Sequence, residues 1–314
     1  MRTFRTGAAL LFTAAGGGLL YSHFGIDHNM PIENAIDADR KILSTDQSGM
    51  LSYYVDTSGS GTPIVLIHSV NAAAGSHEMR PLFEAYRGKR PVYALDLPGF
   101  GYSERTDRDY SVALYDNAIS DFLDEVVEEP ADLIALSLGC EFAARTTYTG
   151  PERVNSLTLI SPTGFGERPI EIGGDGFYNF VKVPLWSQPL FDLLTIKPSI
   201  QYYLGLNFVG TPPDDFIDYA YRAAHQPGAR FAPLAFLSGR LFSRDIRTEV
   251  YEQLPVPTLV VFDKDPNINF GMLDSAAETN PNIKTLRIAP SLGLPHWELP
   301  TETNAAISEF AGVE

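Results

Sequence analysis

Cysteine is almost missing from this chain: Cys140 stands alone among 314 residues. A single thiol forms no intramolecular disulfide and leaves no cysteine cluster for a structural metal. Lysine is scarce too. Six lysines and 17 arginines face 39 acidic side chains, giving a formal charge of −16 at pH 7. A field of that sign repels nucleic acid and anionic lipid, so neither DNA nor RNA is an expected partner. The balance fits adaptation to high salt as well as an ordinary acidic protein. Internal repeats are missing, as are low-complexity tracts beyond the first stretch of the chain. The sequence also lacks the phosphate loop G-x-x-x-x-G-K-[ST], the zinc helix H-E-x-x-H and an Asp-rich calcium loop. Nothing in it calls for a cofactor or a metal.

What is present suits one large α/β domain: 44% apolar and 20% charged residues, in a chain long enough to bury a full core. The start is distinct. Met1-Arg2-Thr3-Phe4-Arg5 is basic, no formal charge follows until Asp27, and Ala8–Leu20 is apolar or small. Such a segment (residues 1–30) resembles an export signal, cleaved or retained, or a membrane anchor acting through residues 1–26. The expectation is an exported or membrane-associated protein, and otherwise a cytoplasmic one. Three consecutive glycines, Gly16 to Gly18, weaken a spanning helix.

After a polar stretch at 31–48, short apolar runs alternate with helical patterns. Leu51–Val55, Pro63–Ile67, Val92–Leu95, Leu133–Leu136, Leu157–Ile160 and Thr258–Phe262 read as strands. Runs apolar on both faces suit a parallel sheet covered by helices. Ser111 is placed to cap a helix carrying Tyr115, Ile119, Phe122 and Val126 at helical spacing. Gly150-Pro151 stops the helix that begins at Gly139. The alternation predicts a doubly wound, mostly parallel α/β sheet over residues 49–314. It breaks between about 166 and 250, an aromatic-rich stretch expected to form a helical lid before the acid-bearing strand. Most of its aromatics should pack, and some should line a pocket.

Ala135-Leu136-Ser137-Leu138-Gly139 joins a buried strand to a helix. A serine there sits on a sharp turn that lifts its hydroxyl out of the sheet above the helix N-terminus. Small residues two places either side let the backbone close, although Ala135 stands where glycine is usual. The alternative reading of Ser137 is an N-cap. With the stretch Tyr93 to Ser103, Asp265-Pro266 after the run Thr258–Phe262, and Pro295-His296-Trp297-Glu298-Leu299-Pro300, the chain resembles the α/β-hydrolase family over roughly residues 50–165 and 255–311.

That resemblance implies Ser137 as nucleophile, His296 as base and Asp265 as the acid that orients it, in the chain order this fold requires. Asp263, two residues away, is the alternative acid. It also implies an oxyanion hole from the Leu138 and Val70 N–H groups, the second in a loop where Ser69 replaces the family's glycine. His68 is expected to hold that loop and Asn71 to reach the pocket.

The function expected is hydrolysis of a carboxylic ester or related small-molecule acyl compound through an acyl-enzyme. Cofactor-free perhydrolysis, carbon–carbon bond hydrolysis and lyase chemistry on the same scaffold remain open. So does a hydrolase-fold ligand receptor.

Overall fold

The computed structural model describes residues 21–167 and 175–312, so the apolar start, residues 1–20, lies outside the described residues. Eight strands form one sheet: β1 Asp39–Thr45, β2 Gly49–Asp56, β3 Ile64–Ile67, β4 Val92–Asp96, β5 Ala131–Leu136, β6 Val154–Ile160, β7 Thr258–Phe262 and β8 Ile283–Arg287. Their spatial order is β1-β2-β4-β3-β5-β6-β7-β8. The first two strands run antiparallel to each other, and β2 pairs antiparallel with β4. Every later pairing is parallel.

The continuous apolar runs are explained by burial on both faces. All of β3 and β5 is buried. Val65 and Ile67 of β3, with Leu133 and Ala135 of β5, pack under the helices Val112–Phe122 and Gly139–Thr149. The alternate residues Ile64, Leu66, Ile134 and Leu136 face Leu82 and Phe83 of the helix Arg80–Tyr86 and Ile307 of the final helix Pro300–Phe310. Two-residue alternation thus feeds two cores, one on each side of the sheet.

Local signals hold where backbone chemistry sets them. Ser111 caps its helix by accepting the Leu114 N–H, and Gly150 ends the helix that starts at Gly139. The edge strands differ from expectation. β1 lies in the polar stretch and before residue 49, and β8 has no apolar run. Both are edges with mostly exposed side chains, so no burial pattern marks them. The sheet therefore begins at Asp39 rather than within the span expected from residue 49.

Between β6 and β7 the described residues form helices at Asp175–Val181, Pro184–Leu194, Lys197–Gly205, Asp214–Ala224, Phe231–Leu237 and Ile246–Glu249. Among the described residues, no helix is long and apolar enough to cross a membrane.

Candidate active site

The turn after β5 is strained at its centre. Ser137 has φ 52, a left-handed conformation that a non-glycine residue adopts only where the surroundings enforce it. They do so through the Ser137 N–H, which donates to the Ile160 carbonyl of β6 at 2.9 Å. Gly139 makes the other half of the turn possible, because a Cβ there would run into the His68 carbonyl. Ala135 is fully buried, and its carbonyl accepts the Cys140 thiol.

Ser137 opens into a cavity of about 220 Å³ at the carboxyl ends of the parallel strands. Leu138 follows β5 and Val70 follows β3, and both line that cavity. Among the described residues neither of their backbone amides donates to a protein group, so both are available to an oxygen. Replacing glycine with Ser69 does not disturb the loop, since Ser69 takes no positive φ. Ser69 is anchored through its backbone and its side chain: the Glu78 carboxylate accepts the Ser69 N–H at 2.8 Å and the Ser69 hydroxyl at 2.9 Å. Asn71 lines the cavity, and its Nδ2 donates to the same carboxylate at 2.7 Å. His68 holds the loop, with Nδ1–H on the Ser69 carbonyl and Nε2 accepting the Leu97 N–H at 2.9 Å.

Asp265 also lines the cavity, in the loop after β7. Its Oδ1 accepts the Asn267 and Ile268 N–H groups at 2.7 and 2.9 Å. Burial pushes its carboxyl above the usual range, and those two bonds only partly offset it. The alternative acid is elsewhere. Asp263 accepts Arg287 Nε at 2.7 Å and the Ser291 N–H at 2.9 Å. Burial alone would raise its carboxyl, but these partners hold it below the usual range.

His296 is the exception to the expected constellation. It is fully buried in the short helical turn Pro295–Glu298 and does not line the cavity that holds Ser137. Its Nε2 lies 2.8 Å from the Glu78 backbone carbonyl, an acceptor that also takes the Trp297 indole N–H at 2.7 Å. A carbonyl cannot donate, so Nε2 carries the proton and points away from a base's task. Nδ1 is buried without a partner among the described residues. Burial lowers the imidazole to about 4, with the Glu78 bond pulling the other way. Among the described residues no hydrogen bond joins His296 to Ser137 or to Asp265. The reason is that a buried carbonyl 218 residues earlier in the chain claims the ring.

Two residues in the site escaped the sequence reading. Glu78 bridges both loops, its carboxylate holding Ser69 and Asn71 and its carbonyl holding His296 and Trp297. No motif marks it. The other is Gly293, which lines the cavity beside Asp265. Its only signal was a glycine three places before His296.

From the helical insertion, Leu204, Asn207, Phe216, Phe236 and Phe242 complete the wall. Other aromatics of the stretch behave differently: Phe177, Tyr202 and Tyr203 are exposed, and Tyr178 and Tyr219 are buried. Among the described residues, no group of His, Cys, Asp or Glu converges as metal ligands do.

The sequence pattern of the alpha/beta hydrolase family matches residues 64–306. A dihydrolipoyllysine-residue acetyltransferase component of the acetoin cleaving system from Cupriavidus necator is 31% identical over 133 residues. That similarity takes in 42% of this chain and 34% of the relative, so the chain spans about a third of that protein's length. A pimeloyl-[acyl-carrier protein] methyl ester esterase from Aeromonas salmonicida is 27% identical over 71% of this chain and 86% of its own. Among solved structures, a membrane phospholipase A superposes with a TM-score of 0.71 at 21% identity, covering 99% of this chain and 98% of that one. This last likeness is one of fold.

Proposed function

Because the chain belongs to the alpha/beta hydrolase family, we propose that its cavity receives a small carboxylic ester or related acyl compound and that Ser137 attacks the acyl carbon. The observation that carries this reading is the positive φ of Ser137 on a turn that opens into the cavity. Strain of this kind clusters at functional sites, where the surrounding structure holds a side chain in place for its task. Attack would place negative charge on the acyl oxygen, and the free Leu138 and Val70 N–H groups are the donors to receive it. The cavity volume, about 220 Å³, lies below the roughly 300–1,000 Å³ usual for ligand sites and favours a short acyl or alcohol group.

The reading is of a slow enzyme. None of the six histidines lines the cavity, and none hydrogen-bonds the Ser137 hydroxyl among the described residues. Oxyanion donors and binding alone sustain roughly 10³–10⁴-fold acceleration over water when a triad member is missing. Perhydrolysis, carbon–carbon cleavage and lyase chemistry draw on the same Ser–His pair as ester hydrolysis, so the position of His296 does not choose among them. The missing imidazole favours a second reading, a ligand receptor that binds acyl compounds with little turnover.

Labelling with a fluorophosphonate, followed by peptide mapping, tests both. A single slow adduct on Ser137, lost in Ser137→Ala, supports the acyl-enzyme reading. Fast labelling abolished by His296→Gln would restore His296 as base. Binding of short esters by a folded protein that never forms an adduct would favour the receptor.

A further inference from the structure

The outer side of the helical insertion is apolar where a surface is usually mixed. Phe177 and Phe180 lie on the helix Asp175–Val181, Leu185 and Leu193 on Pro184–Leu194, and Tyr202 and Tyr203 on Lys197–Gly205. All six are more than half exposed, as is Val209 just beyond them. Away from this stretch and from residues 21–24, Ile42 on β1 is the one large apolar side chain among the described residues exposed to that degree. Single apolar residues scattered over a surface are ordinary, whereas a gathered patch marks a face that meets something.

Contacts join the patch together. Trp186 links its first two helices, the ring 5.2 Å from that of Phe180 and the indole N–H donating to the Phe180 carbonyl at 2.7 Å. The helices Pro184–Leu194 and Lys197–Gly205 pack on each other, and Tyr202 meets Tyr203 edge to face at 5.2 Å. Charge is sparse there. Between Asp175 and Asp214 the charged side chains are Lys182, Asp192 and Lys197. Asp192 is buried, and Lys197 pairs with Asp218 at 2.6 Å. The acidic field of the chain, −16 in all, therefore has a gap on this side.

The N-terminal chain leads to the same place. Tyr21 and Phe24 are exposed, and Tyr21 lines a shallow hollow with Ile196, Lys197 and Pro198. The Ser22 hydroxyl donates to buried Asp192, and His28 Nε2 lies 3.0 Å from the same carboxylate. Residues 1–20, in which Ala8–Leu20 is apolar or small, thus join the molecule at the edge of the patch.

We infer that this face docks on a lipid surface, with residues 1–20 entering the same apolar phase. Two apolar elements that meet at one edge call for one apolar partner, and a bilayer is broad enough to take both. Burial of apolar area drives the contact, and the gap in the acidic field permits it, so the partner is zwitterionic rather than anionic lipid. The helix Lys197–Gly205 also gives Leu204 to the wall of the Ser137 cavity, so docking sets that wall against the lipid whatever Ser137 does there.

Phosphatidylcholine vesicles are the probe, and co-sedimentation of the full chain reads its partition. Leu185→Asp and Tyr203→Asp, both at exposed positions, should each weaken partition about 10-fold. Ile42→Asp, at a position also more than half exposed but on β1, should leave it unchanged. Raising sodium chloride from about 0.1 M to about 1 M should not release the protein, as it would a contact made by charge. Lipid brominated in its acyl chains should quench tryptophan emission, and Trp186→Phe should abolish the quenching while Trp297 still emits. Equal partition of the wild type and the lid-face variants would overturn the inference, since residues 1–20 alone would then hold the chain on lipid. So would a wild type that stays in solution. A dimer in lipid-free solution that Leu185→Asp dissociates would also overturn it and give the face to a second copy.

Discussion

The placement of His296 has a thermodynamic consequence large enough to measure. In the folded protein the ring is fully buried and titrates at about 4, whereas the same side chain in an unfolded chain titrates near its ordinary 6.5. Between those values the unfolded state binds a proton that the folded state refuses. The stabilisation is therefore complete above pH 6.5 and is lost as the pH falls to about 4. At about 1.36 kcal/mol per pH unit, the loss is about 3 kcal/mol. His296→Gln removes the titration while keeping an N–H for the Glu78 carbonyl. Urea denaturation of both proteins, stepped from about pH 7.5 to about pH 4, reads the difference. The wild type should lose about 3 kcal/mol relative to the variant over that range. His77, whose imidazole burial also holds low, is common to both and cancels. A stability gap that does not change with pH would refute the reasoning, since it would mean that the imidazole titrates normally within reach of water or of Ser137. The labelling rate of Ser137 should fall little in the same variant, as expected of a residue that does not line the cavity.

Three further outcomes follow from contacts in the site and in the sheet that carries it. Gly139→Ala forces a methyl against the His68 carbonyl and should cost about 1–3 kcal/mol by denaturation, with Ser137 labelling falling further than stability alone explains. Glu78→Gln removes the anionic acceptor shared by Ser69 and Asn71. It should destabilise by about 1–3 kcal/mol in urea and weaken the binding of short esters measured by calorimetry. Arg90 and Asp132 form a buried ion pair in which Asp132 also accepts the Ser156 hydroxyl at 2.6 Å. Arg90→Met strands the carboxylate and should lower stability by about 3–5 kcal/mol, whereas loss of the exposed Lys197–Asp218 pair should be barely detectable.

Much of the sheet was legible because burial on two faces writes itself as uninterrupted apolar runs: β3, β4, β5, β6 and β7 all coincide with such runs. The edge strands were not, because β1 and β8 expose most of their side chains and take their conformation from a neighbour. β1 exists because Gly49 at φ 79 lets the chain reverse and pair Thr45 with Gly49 through to Asp39 with Val55. The helical character of the insertion was likewise readable. Which of its aromatics face the cavity was not, since Phe216 and Phe236 do and Tyr202 and Tyr203 do not.

The site divides along the same line. The sequence by itself determined the parts that depend on a few adjacent residues: the turn that strains Ser137, the small Gly139 beneath it, the cap at Ser111. It also determined that Ser137, Val70 and Asp265 follow strands of one parallel sheet, whose carboxyl ends must meet. The tertiary structure decided the rest. It turned His296 onto the Glu78 carbonyl, joined the two loops through Glu78, and set Gly293 against Asp265. A histidine in the expected segment satisfies the motif wherever its ring points. Its direction is set by which buried polar group most needs a partner, and that group lies far away in the chain.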